Sequence, residues 1–179
     1  MLHVFGFNSV GVAVGDLYFV DPNPGRGQEG AERGVRLEVR FLETKPSGGS
    51  IYAATPILLG RPIWRADLLE SVDGAPGSHD RTHHHPRVRG WEPGARQFDE
   101  AMSADPIGFV GERLSDLRGL VEGAGLDPSE IDERDPAEVR EAVPEILAVT
   151  GRLLDGVRGG RLARPPEGAP VDAARVGWL

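Results

Sequence analysis

VRLEVRFLE, Val35 to Glu43, is the stretch that decides how this chain folds. Val35, Leu37, Val39 and Phe41 occupy alternate positions, and Arg36, Glu38 and Arg40 stand between them. A period of two belongs to a strand, whose successive side chains leave opposite faces. The sheet built around it has one apolar face, which must be covered, and one charged face.

Working outward, KPSGGS reads as a turn, and IYAATPILL (Ile51–Leu59) as a second strand with Pro56 marking an edge or a bulge. PIWRADLLES reads as a further main strand, since Trp64, Ala66 and Leu68 alternate with Arg65 and Asp67. Upstream, SVGVAV-GD-LYFVDP reads as two β-rich runs joined by a Gly15-Asp16 hairpin turn. NPGRGQEGAERG (Asn23–Gly34) is a polar glycine-rich loop. It lacks the spacing and the lysine of a phosphate-binding loop, so a nucleotide site is not expected there.

The second half changes period. Asp105-Pro106 opens a helical pattern in which Ile107, Val110, Leu114, Leu117 and Val121 recur every three or four residues. Asp127-Pro128 opens a short turn. Asp135-Pro136 opens a long helix with Val139, Val143, Ile146, Leu153 and Val157 on one stripe, and Pro144 inside it should kink or split it. Strands followed by helices predict an α+β fold, an antiparallel sheet covered by two or three helices. The expected organisation is one domain over 1–160, strand-rich to 94 and helical from 95, then a Pro/Gly-rich tail over 161–179. The apolar end of that tail, Val176–Leu179, is open to docking on the body, docking on a partner, or fraying.

Composition excludes several classes. A chain of 179 residues without cysteine has no disulfide and no thiolate-held zinc or iron–sulfur centre, which fits a reducing cytoplasm. No apolar run is long enough to span a membrane, and the first residues alternate instead of forming a leader-like apolar stretch. A net charge of −8 argues against a general nucleic-acid binder. The charge is uneven, however. Arg81, Arg87, Arg89 and Arg96 face a single acid, Glu92, within a short segment, whereas the helical half is strongly acidic. Those acidic helices, or the tail, are candidate surfaces for a protein partner.

The arginine-rich segment also holds SHDRTHHHP, in which His83, His84 and His85 are consecutive. In an extended triplet His83 and His85 point together and His84 points away. Arg65 and Asp67 share one strand face and can share it with Arg36, Glu38 and Arg40, so one polar surface could gather all of these with His83 and His85. Two chemistries suit such a set. Imidazoles with a carboxylate, Asp67 or Asp80, could hold one divalent transition metal. Alternatively, without a cofactor, His83 and His85 could act as acid and base on a phosphodiester, with Asp67 orienting a histidine and Arg65, Arg81, Arg36 and Arg40 binding phosphate. A third possibility is structural, a cross-strand charge ladder beside a polar loop.

A strand ending in R-x-D (Arg65, Asp67), a short loop and then a histidine cluster (His83, His84, His85) resembles small bacterial toxin ribonucleases of toxin–antitoxin pairs. Some of those carry R-x-D-N…H-H…H-H-x-H after a strand-rich start. The overlap covers roughly residues 35 to 90. Leu68 stands in place of the asparagine, and Gly77-Ser78-His79 in place of the first histidine pair. The resemblance implies a cytoplasmic endoribonuclease with RNA as its partner.

Overall fold

The computed structural model describes residues 1–46, 48–168 and 173–179. Its centre is an antiparallel sheet in the order β1 (Leu2–Gly6), β2 (Val10–Val20), β3 (Ala31–Thr44), β4 (Ile57–Ser71) and β5 (His83–His85). A two-stranded hairpin follows, β6 (Val88–Arg89) and β7 (Glu92–Pro93). After it come α1 (Glu100–Ala104), α2 (Pro106–Ser115), α3 (Leu117–Gly123) and α4 (Asp135–Arg158). The last strand, β8 (Ala174–Gly177), pairs with β2. The architecture is α+β, strands in the N-terminal half and helices in the C-terminal half.

The alternation in β3 sets the two faces. Val35, Leu37 and Val39 lie with Val10, Val12 and Val14 of β2 and Trp64, Ala66 and Leu68 of β4 in one buried cluster. Helices α2, α3 and α4 close that cluster with Phe109, Val110, Leu114, Leu117, Leu120, Val139, Val143, Ile146 and Leu153. Fully burying an aliphatic side chain of this size contributes about 1.5–3 kcal/mol, so this face dominates stability.

Four local expectations need correction. Gly15-Asp16 is no hairpin turn, because β2 runs unbroken through it and the actual turn is at Phe7–Ser9, with Phe7 N–H donating to Val10 O at 2.9 Å. In VGVAVG the valines enter the core, while Gly11, Ala13 and Gly15 leave the opposite face low. A Cβ on Gly15 would stand 3.3 Å from the Met1 carbonyl oxygen and 3.7 Å from Leu179. The glycine thus serves close approach and not a turn.

Second, Ile51–Leu59 and the following segment are not separate strands. Residues 51–56 turn, and β4 then passes through Pro62 without stopping. The register shifts around Arg40, opposite Pro62, and this bulge accommodates a residue that cannot donate to the ladder. Third, the helix expected from Pro106 onward divides at Asp116, whose carboxylate accepts from Gly119 N at 3.1 Å and starts α3. Fourth, Pro144 does not split α4. It lies on the exposed side, where water can take the carbonyl that it leaves free.

The Asp-Pro pairs divide in their use. Asp105 caps α2, accepting from Gly108 N at 2.9 Å. Asp135 does not cap α4. Its buried carboxylate accepts from Asn8 N (2.8 Å), Ser9 N (3.0 Å) and Ser9 Oγ (2.5 Å), fixing the β1–β2 turn to the helix. The end of the tail docks: β8 pairs residues 174–177 with 20–17 of β2, and the Leu179 carbonyl accepts from Arg36 at 3.3 Å. No helix among the described residues is long and apolar enough to cross a membrane.

Candidate functional site

The site lies on the sheet face turned away from the helices. Register alone assembles it. Arg36 of β3 stands opposite Asp67 of β4, which stands opposite His83 of β5. One step along, Glu38 stands opposite Arg65, and Arg65 opposite His85. Two cross-strand rows of three ionisable residues therefore lie side by side. All six are buried, unusual for charges, and burial of this kind demands partners.

The partners are present. Arg36 grips Asp67 with both branches of its guanidinium, Nε to Oδ1 at 2.5 Å and Nη2 to Oδ2 at 3.1 Å. Glu38 receives Arg65 at 2.7 Å on Oε1 and Arg40 at 2.8 Å on Oε2. Burial pushes the Asp67 pKa upward, but Arg36, and after it the His83 and His85 rings that face it, outweigh it. The carboxyl is held well below its ordinary value and is ionised.

Both histidines are fixed at the same ring atom. His83 Nδ1 lies 2.8 Å from Arg81 O, and His85 Nδ1 lies 2.7 Å from Gly94 O. A carbonyl only accepts, so Nδ1 carries a hydrogen in each ring and Nε2 is the position turned toward Asp67. Each Nε2 stands 3.4 Å from the same atom, Asp67 Oδ2. Asp67, His83 and His85 are the one group among the described residues whose ligand atoms gather as metal ligands do, all within 4.8 Å of one another.

His84 goes the other way. It enters the helical core, accepts at Nδ1 from the Trp64 indole at 3.3 Å and meets the Phe109 ring edge-on at 5.3 Å. Burial, and after it Arg113, lowers its pKa to about 4, so it is neutral in the fold.

The β6–β7 hairpin roofs the polar face. It follows β5 after Pro86-Arg87, and its two strands are joined by a two-residue turn, Gly90-Trp91, with Gly90 at φ +61°. Gly94 beyond it supplies the carbonyl for His85, and Trp91 covers the Arg40 guanidinium at 5.2 Å. Beneath the roof is a cleft of about 390 Å³, within the range of small-ligand sites. Arg36, Arg65, Asp67, His83 and His85 form its floor, and Arg96, Arg175 and Phe19 are among its walls.

Of the residues picked from sequence, the fold brings Arg36, Arg65, Asp67, His83 and His85 together, with Arg40 at the edge. Two lie elsewhere. Asp80 accepts from Ser71 N at 3.0 Å and Ser78 Oγ at 2.7 Å, an Asx-type loop role that leaves its carboxylate outside the histidine group. Arg81 is spent on the carbonyls of Gly27 and Glu29, pinning the glycine-rich loop. Sequence reasoning missed Arg96, Arg175, Phe98 (5.4 Å from the His83 ring) and the roof. Gly90-Trp91 was a readable turn signal for the roof. Nothing in the tail foretold that Arg175 would reach the cleft. Among known proteins the chain has no match: no family model, no curated protein and no solved structure matches it.

Proposed function

We propose that the chain is a hydrolase of phosphodiesters, with RNA as substrate, and that the roofed cleft is its active site. The observation that carries this reading is the convergence of Asp67, His83 and His85 on the floor of an arginine-walled cleft. Phosphodiester cleavage needs a base on the attacking oxygen, an acid on the leaving oxygen and cations on the phosphate. The Asp67–His83–His85 group would move the protons. Arg36 and Arg65 are already balanced by Asp67 and Glu38, and Arg96 by Glu32 at 2.9 Å, so these three shape the cleft and Arg175 at the wall meets the phosphate. The RNA assignment rests on the toxin-ribonuclease resemblance of Arg65, Asp67 and the histidines. A cytoplasmic setting is proposed from the cysteine-free composition.

A purely structural reading has its own support, since Asp67 and Glu38 are each ion-paired with arginine. One experiment separates the two. Cleavage of a labelled RNA is followed for the native chain and for the His83→Ala/His85→Ala variant, in EDTA and with zinc or manganese. The hydrolase reading expects a loss of about 10²–10⁴-fold in the variant. Equal rates for the two proteins, or no cleavage by the native chain under any of these conditions, would leave the charge ladder as the whole explanation.

A further inference from the structure

We infer that Asp67 Oδ2, His83 Nε2 and His85 Nε2 bind one divalent first-row transition metal ion at the floor of the cleft. The inference concerns the site of the proposed hydrolase but does not depend on hydrolysis.

The first support is the direction of the lone pairs. With both Nδ1 atoms donating to carbonyls, both Nε2 atoms face the same carboxylate oxygen. Unprotonated Nε2 atoms would set three electron-rich atoms against one another in a buried site, and one metal ion between them would bind all three. An Nδ1–H held by a backbone carbonyl is also the usual outer contact of a metal-binding histidine, because it fixes the ring and its tautomer.

The second support is distance. Each Nε2–Oδ2 separation is 3.4 Å, longer than an ordinary N–H···O hydrogen bond. For metal bonds of about 2.0–2.1 Å at tetrahedral angles, neighbouring ligand atoms stand about 3.3–3.4 Å apart. The spacing fits two ligands on one ion better than a donor and its acceptor.

The third support is charge. Glu38 takes up Arg65 and Arg40, so those two cations do not leave Asp67 as the only local anion. Arg36 holds both oxygens of Asp67, most closely Oδ1, and Oδ2 also faces the two imidazoles. A carboxylate oxygen has two lone pairs, so Oδ2 can accept from Arg36 on one side and bind a metal on the other. Three protein ligands beside a cleft leave the remaining positions open, the arrangement of a catalytic and not a structural centre. Two imidazoles in the set favour zinc, iron or manganese over magnesium or calcium.

The test uses the whole chain without a polyhistidine tag, stripped with EDTA and titrated with zinc, manganese and magnesium. The native protein should take up about one zinc per chain, melt at a higher temperature when loaded, and show imidazole nitrogens at about 2.0–2.1 Å in its X-ray absorption spectrum. His83→Ala/His85→Ala should bind at least about 100-fold more weakly, a larger loss than outer contacts alone produce. His79→Ala and Asp80→Ala should bind as the native chain does. If the double variant fails to fold, the native spectrum decides. Native protein that takes up neither zinc nor manganese overturns the inference, as does a double variant that keeps its full equivalent. The hydrolase reading fails separately: metal bound without RNA cleavage removes that reading alone, and RNA cleavage by a chain that takes up neither zinc nor manganese removes the metal alone.

Discussion

His84 and its two neighbours are adjacent in sequence and almost equally buried, yet they do opposite work. His84 sits among Trp64 and Phe109, a neutral ring spent on one indole hydrogen bond. His83 and His85 sit among charges, each anchored by a carbonyl and aimed at one carboxylate. The only cause is the strand pleat, which turns alternate residues to opposite faces. The same division runs across the whole sheet. β3 sends Val35, Leu37 and Val39 to the helices and Arg36, Glu38 and Arg40 to the polar face, where Arg36 lines the cleft. One face buries the apolar core, and the other concentrates paired charge around the cleft.

The sharpest way to break this comparison is at Asp67. Asp67→Ala leaves Arg36 buried without its carboxylate and both imidazoles without their shared partner. Removing one member of a buried pair costs about 3–5 kcal/mol, to be read by chemical denaturation. A loss well under 1 kcal/mol would mean that water reaches the floor freely. On the opposite face, Leu37→Ala, between Arg36 and Glu38 in the same strand, removes a fully buried side chain from the core. Its expected cost is about 2–5 kcal/mol with RNA cleavage per folded molecule unchanged.

A smaller effect sharpens the contrast through pH. The folded His84 pKa is lowered to about 4 from an ordinary value of 6.5. Between those values the unfolded chain binds a proton at this residue and the folded chain does not. Stability contributed here is therefore full above about 6.5 and falls as pH drops toward 4. His84→Leu should remove this dependence, so the gap between its pH–stability curve and that of the native chain should change across this window. Parallel curves would show that His84 is not held neutral.

Much of this was legible in the sequence, and the reason is periodicity. The alternation of Val35–Phe41 and of Trp64–Leu68 decided which side chains share a face, and register then placed Arg36 beside Asp67 and Glu38 beside Arg65. What failed to read was punctuation. Gly15 looks like a turn residue, yet it provides close approach for the chain ends. Pro62 and Pro144 look like breaks, yet a bulge and a solvent-facing position absorb them. Asp80 and Asp67 are both acids near histidines in sequence, and only strand pairing distinguishes the one that reaches them. The roof over the cleft and the arrival of Arg175 depend on long-range packing, which local patterns do not encode.

The most direct test of the division between the faces is to measure thermal melting and RNA cleavage on one set of proteins: native, His84→Ala, and His83→Ala/His85→Ala. The account predicts that His84→Ala lowers the melting temperature while folded protein cleaves at the native rate. It predicts that the double variant stays folded and loses about 10²–10⁴-fold in cleavage. The contradicting result is the reverse pattern, a double variant that unfolds or cleaves normally while His84→Ala abolishes cleavage without changing stability.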